Sequence, residues 1–196
     1  KQGVVFEDDI ENLPSEGVVI LRAHGEPKQT YNILSQNKIN YIDCTCVNVK
    51  KIHDKVQEYS TNGFVIVIIG KYGKKTGVMH PEILGTVGWC ESEPILIEDA
   101  EDLTKIENTS AKKLYVVCQT TFNMEKADKL IENIQEISAN KNIELIINKS
   151  ICMAQKQINV FSAELAKECD LMIVVGGKNS SNTTELFNNL KTITKS

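Results

Sequence analysis

The chain has 196 residues, 41% apolar and 24% charged, and 22 lysines and arginines against 26 aspartates and glutamates leave a net charge of −4. That balance suits one folded domain or two small ones and excludes a disordered chain, and the acidic pI of about 5.5 argues against a nucleic-acid binder. Apolar runs such as Val65–Ile69 fall far short of the roughly 20 residues a membrane helix needs, and no charged segment leading into an apolar one marks a signal peptide.

Short β-branched runs and helical stripes alternate along the chain. Val4–Phe6 and Val18–Leu21 read as strands, Pro27 suits the first turn of a helix, and Asn40–Ile42 reads as a further strand. Val49, Ile52 and Val56 form a helical stripe, with His53 read onto the solvated face beside Lys50 and Lys51. Phe64–Ile69 is an apolar run without alternation, as in a strand covered on both faces. Pro81 opens a helix, Ile95–Ile97 is a short strand and Leu114–Val117 a buried one. Ala127, Leu130, Ile131 and Ile134 predict a helix, and Ile143–Ile147 a strand. Ala154, Ile158, Phe161 and Leu165 predict a further amphipathic helix, and Leu171–Val175 a last strand. The alternation predicts an α/β fold of repeated units with mostly parallel sheets. Neither end reads as a finished domain, which points to a fragment.

Several strands run straight into polar or glycine loops, and open α/β sheets bind ligands beyond the carboxyl ends of their strands. Gly176–Thr184 joins two glycines to Ser180, Ser181 and Asn182 at a helix start, where hydroxyls, N–H groups and the helix dipole suit an anion such as phosphate. The plainer reading of that loop is a capped helix. His80-Pro-Glu82 sets an anion-binding imidazole two residues from a carboxyl able to move a proton. His24, beside Gly25 at the end of its strand, faces the same kind of crevice.

There are six cysteines, and without an export signal a disulfide framework is a poor reading. Cys46 and Cys152 each precede a helix, and a helix start favours thiolate, the form that ligates iron or zinc. Cys90, Cys118 and Cys169 read as core thiols, and Cys44 stands beside Cys46 in a C-x-C.

Arg22-Ala-His-Gly25, Asp43-Cys-Thr-Cys46, His80-Pro-Glu82, Gln119-Thr-Thr121, Ser150-Ile-Cys152 and Gly177–Asn182 follow one another in an order that resembles the 4-hydroxy-3-methylbut-2-enyl diphosphate reductase family, also called IspH or LytB. The resemblance spans about the whole chain and implies a fold of three α/β units around a central site. In its terms, 1–46 ends the first unit, 47–150 is the second and 151–196 begins the third. It implies an iron–sulfur enzyme of the non-mevalonate isoprenoid pathway, which reductively removes the allylic hydroxyl of its substrate to give isopentenyl and dimethylallyl diphosphates.

Further expectations come with the resemblance. Cys46 and Cys152 become two of three cysteine ligands of a 4Fe–4S cluster, with the third Cys expected upstream of Lys1. His24, His80, Ser180, Ser181 and Asn182 become diphosphate ligands, and Glu82 with Thr120 the proton-delivering pair. An electron donor of the ferredoxin or flavodoxin type follows, and with one cluster cysteine expected upstream the fragment alone is expected to be inactive. Free thiols without an export signal point to a cytoplasmic location, and the heavy use of Ile, Asn and Lys to an AT-rich bacterial source. Where the family pattern has Ala, Pro, Thr and Arg, this chain has Cys44, Val47, Gln155 and Ile158. The alternative is a degenerate, non-catalytic phosphate-ester binding module.

Overall fold

The computed structural model describes residues 3–7, 9–13, 16–74, 76–177 and 180–195, excepting the side chains of Gln155, Lys156 and Ser181. It divides into two compact units, Lys1–Ser150 and Ile151–Ser196.

The first unit holds two parallel sheets. β1 (Val19–Leu21) pairs with β2 (Tyr41–Asp43), with α1 (Lys28–Gln36) between them in sequence. The larger sheet runs in the order β4-β3-β5-β6, from β3 (Val65–Ile69), β4 (Ile95–Ile97), β5 (Lys113–Cys118) and β6 (Glu144–Asn148). β3 and β5 are nearly continuous apolar runs because both faces are covered. Ile66, Ile68, Tyr115 and Val117 pack in one cluster with Ile52 and Val56 of α2 (Val47–Thr61) and Ile83 of α3 (Pro81–Val87). Alternation turns Val67, Ile69, Leu114 and Val116 to the opposite face, where they are equally buried. α5 (Met124–Asn140) buries the expected stripe Ala127, Leu130, Ile131 and Ile134, and the short α4 (Thr104–Glu107) buries Ile106.

The strand order sets the site. From β3 the chain goes to β4 on one flank, and from β5 it goes to β6 on the other. The loops leaving the ends of β3 and β5 therefore part in opposite directions and open a crevice between them, the ligand position of open α/β sheets.

Three expectations are corrected in the first unit and its neighbour. Val4–Phe6 is exposed and forms no strand. In the second unit Leu171–Val175 makes a single bridge, from Leu171 to Lys195, and Val175 is 89% exposed. A strand needs a neighbour for its backbone groups, and no further strand pairs with this run among the described residues. α6 (Met153–Ala166) forms as a helix, but its apolar residues Ile158, Phe161 and Leu165 are exposed rather than buried. α7 (Ser181–Leu190) completes the second unit. Of the two prolines expected in a first helical turn, Pro81 opens α3, whereas Pro27 stands just before Lys28 as the N-cap of α1.

Candidate functional site

The crevice of the first unit gathers several of the expected residues. β1 ends at Leu21 and turns through Arg22–Gly25, closed by Gly25 N–H donating to the Arg22 carbonyl (3.1 Å), with Gly25 at φ +79°. A residue with a Cβ is strained in that conformation. The segment after β2 continues the parallel ladder alongside: Cys44 N–H donates to Leu21 O (3.2 Å) and Cys46 N–H to Ala23 O (3.0 Å). These bonds seat Cys46 beside the turn that carries His24. Asp43 accepts from Thr45 N–H (2.9 Å) and pairs with Lys50 (2.7 Å), which fixes the entry of α2. Cys46 is the N-cap of α2, makes no capping hydrogen bond, and its side chain is exposed.

His80 is the N-cap of α3, and Pro81 takes the first helical position, where no N–H is needed. Its Nδ1 accepts from Glu82 N–H (3.2 Å). Burial, then the neighbouring His24 and Lys71, lowers the His80 pKa from its ordinary value, which favours the neutral ring. With Nδ1 accepting, the single proton sits on Nε2 and makes that atom a donor. The His24 and His80 rings meet edge to face at 5.6 Å.

Glu82 is 2% exposed. Its carboxylate accepts from Thr120 N–H at Oε1 (2.6 Å) and from Thr120 Oγ1 at Oε2 (2.8 Å). Burial pushes the Glu82 carboxyl above its ordinary range, against the opposing pull of the Thr120 bonds. A buried, paired acid that retains its proton more readily than a surface carboxyl is suited to general acid work.

Two residues outside the expected set hold this arrangement. Gln119 is buried, accepts from Lys71 N–H (2.9 Å) and donates to Thr121 Oγ1 (3.0 Å), tying the end of β5 to the loop after β3. Asp102 accepts from Tyr72 (2.7 Å) and Glu98 N–H (2.8 Å) and pairs with Lys105 (2.9 Å), bracing the loop that leads to His80. Gln119 belongs to the Gln119-Thr-Thr121 motif, but its bond to Lys71 N–H and that of Asp102 to Tyr72 join segments distant along the chain, which local pattern does not reveal.

His53 is corrected: it is buried, and its ring stacks on Trp89 at 5.3 Å. The signal was present, since Val49, Ile52, His53, Val56 and Ser60 follow the +3, +4, +7 and +11 spacing of one helix face. Burial drops the His53 pKa to about 4. Cys118 is buried and Cys90 half-buried, and burial pushes both thiols up to about 12, in keeping with core thiols.

In the second unit Cys152 is the N-cap of α6 and does not cap it by its side chain. Ser180 is the N-cap of α7, where its Oγ accepts from Thr183 N–H (3.3 Å), and Ser181 and Asn182 occupy the first helical turn. The side chains of Ser181 and Gln155, together with Lys178 and Asn179 of the glycine loop, lie outside the described residues. Among the described residues no three or more His, Cys, Asp or Glu side chains converge on a metal position, and no helix is long and apolar enough to cross a membrane.

A family model described as LytB protein matches residues 1–196. The 4-hydroxy-3-methylbut-2-enyl diphosphate reductase of Clostridioides difficile is 37% identical over 186 residues, covering 95% of this chain and 63% of that protein. The protein of the same name from Clostridium acetobutylicum is 37% identical over 181 residues, covering 92% of this chain and 26% of its own length. Among solved structures, the E-1-hydroxy-2-methyl-but-2-enyl-4-diphosphate reductase from Plasmodium falciparum matches with a TM-score of 0.76 at 30% identity, over 96% of this chain and 57% of that one. A second structure, titled as the terminal enzyme of the non-mevalonate pathway, matches with a TM-score of 0.67 at 32% identity, over 90% of this chain and 60% of that one. The chain thus spans less than two thirds of the length of these relatives. With the whole of it matched by one family model, the chain belongs to the LytB family.

Proposed function

We propose that this chain contributes the acid pair, anion-binding groups and two cluster ligands of a 4-hydroxy-3-methylbut-2-enyl diphosphate reductase, an oxidoreductase that removes an allylic hydroxyl to give isopentenyl and dimethylallyl diphosphates. The names of its relatives support the reaction. The observation that carries the reading is the Glu82 carboxylate, held at both oxygens by Thr120 and set at the start of the helix that His80 caps. A non-catalytic phosphate-ester binder gives no reason to bury an acid beside its anion-binding imidazoles.

The 4Fe–4S cluster would be held in part by Cys46 and Cys152. Both stand at helix starts, where the first turn favours the thiolate form that ligates iron, and the Cys46 side chain is exposed. When bound, such a cluster supplies electrons and a Lewis-acidic iron. The chain's own groups do the rest. Thr120 orients the Glu82 carboxyl; with Glu82 protonated, Thr120 Oγ1 passes its proton to the departing hydroxyl oxygen and takes that of Glu82, so the oxygen leaves as water, while two electrons from the donor and a second proton from solvent complete the product. His80 donates from Nε2 to a phosphoryl oxygen, with His24 beside it. Ser180, Ser181 and Asn182 are assigned to the same class of ligand through hydroxyl and amide donors at the start of α7. A ferredoxin or flavodoxin as electron donor and a cytoplasmic location complete the proposal.

The test is Glu82→Gln in the complete, cluster-loaded protein. Inorganic pyrophosphate binding should hold within about twofold while turnover falls on the order of 100-fold or more, the range for loss of a general acid. Turnover near that of the unaltered protein would remove Glu82 as the proton donor.

A further inference from the structure

The turn that presents His24 is closed by its own Gly25–Arg22 backbone bond and held at Ala23 by the Cys46 N–H, and α2 and α3 pack against it at Gly25. His53 of α2 lies beneath it: a Cβ on Gly25 would stand 2.5 Å from His53 Cε1 and 3.2 Å from Nε2. The His53 ring also stacks on the Trp89 indole, with 21° between the planes. The indole N–H donates to the Glu26 carbonyl (3.0 Å), just after the turn. From the side, α3 closes in at Gly85, where a Cβ would lie 2.8 Å from the Gly25 carbonyl oxygen.

Two features here exceed what core packing requires. His53 is 2% exposed, yet its Nε2 has no hydrogen-bond partner among the described residues. Burying an unpaired polar atom disfavours the fold relative to an apolar side chain of similar size. The second feature is the closeness of the approach: a bare Cα lies against the Cε1–Nε2 side of the ring, where a Cβ on Gly25 would force the two apart.

We propose that His53 is a positioning residue for the anion-binding histidine pair: its ring, held by Trp89 and set close against Gly25, fixes the position of the turn that carries His24 and so the spacing between His24 and His80. It touches neither ligand nor reacting atoms and acts through the backbone at Gly25. The inference rests on the reading of His24 and His80 as diphosphate ligands and deepens it by naming what holds them in register.

The experiment compares His53→Leu and His53→Ala with the unaltered complete protein. Leucine keeps most of the buried volume but is not flat, so it remains informative if the alanine variant does not fold. Folding is checked by circular dichroism, the His80 titration is followed by NMR without ligand, and inorganic pyrophosphate binding is measured by calorimetry. His24 is one of the groups that hold the His80 titration low. In a folded variant the His80 midpoint should therefore rise toward its ordinary value as His24 moves away. Pyrophosphate binding should weaken about 10-fold, the equivalent of one charge-assisted contact. Turnover at saturating substrate should stay within about twofold, since the Glu82–Thr120 pair is untouched. A folded His53→Leu protein with an unchanged His80 midpoint overturns the proposal. If the unaltered protein fails to bind pyrophosphate, the diphosphate reading falls, and the His80 titration still decides whether His53 positions the pair.

Discussion

Lowering the pH from 7 to 5 should weaken the first unit through His53. Burial drops its pKa from 6.5 to about 4, with the charge of Asp43 opposing only in part. The unfolded chain therefore binds a proton at pH 5 that the folded one excludes. A depressed folded-state pKa gives stability that is present above 6.5 and lost as the pH falls toward 4. At about 1.4 kcal/mol per tenfold change in proton affinity, the full difference is roughly 3 kcal/mol, of which about 2 kcal/mol falls between pH 7 and pH 5. Other groups titrate in the same range, so the test is a difference between proteins. Urea unfolding of the unaltered protein and of His53→Leu would be followed at pH 7, 6 and 5 by circular dichroism and by the fluorescence of Trp89, the single tryptophan. The unaltered protein should lose about 2 kcal/mol more than the variant over that interval. Parallel pH dependences in the two proteins would refute the claim that His53 is buried in its neutral form.

Further outcomes follow from the same geometry. Pyrophosphate should bind His80 as the ring that donates from Nε2, because a proton on Nδ1 would face the Glu82 N–H; the His80 titration followed by NMR should stay below its ordinary value when pyrophosphate is bound, and a rise above it would refute that assignment. Asp102→Asn should lower the urea-derived stability at pH 7 by roughly 2 kcal/mol, since the change removes the charge that pairs with Lys105 and turns one of the carboxylate's acceptor oxygens into an NH2 group. Burial alone would raise the Asp102 carboxyl, but the bonds from Glu98, Tyr72 and Lys105 outweigh it and hold it well below the usual range. Its contribution is therefore present above about pH 4 and lost below it, a loss the asparagine variant should not show. Ser180→Ala should cost about 1 kcal/mol of helix stability by removing the cap on Thr183 N–H, and should weaken pyrophosphate binding. An unchanged affinity would leave Ser180 as a cap and nothing more.

Local pattern carried much of the first unit. Runs such as Phe64–Ile69 and Leu114–Val117 have no polar residue to place on a wet face, so a strand covered on both sides is the arrangement left to them. The helix starts at Cys46, His80, Cys152 and Ser180 were legible because each stands where a periodic segment begins. Residues that depend on a distant partner were not legible in that way. Lys50 and Lys51 suggested a wet face for His53, and Trp89 and Gly25, far away in sequence, decided otherwise. Leu171–Val175 has the composition of a strand without the neighbour that would make it one.

The sequence by itself determined the parallel α/β plan, the helix starts and the residue types available for acid, anion and thiolate chemistry, because these follow from local periodicity and from what each side chain can bond. Only the tertiary structure decided that Glu82 is buried against Thr120, that His24 meets His80, and that Cys46 lies beside the His24 turn. Each of these joins segments from the ends of different strands. The strand order β4-β3-β5-β6 sets that proximity for Glu82 and Thr120, and parallel pairing of β1 with β2 sets it for His24 and Cys46; the burial that alters the proton affinity of Glu82 exists only once those segments pack together.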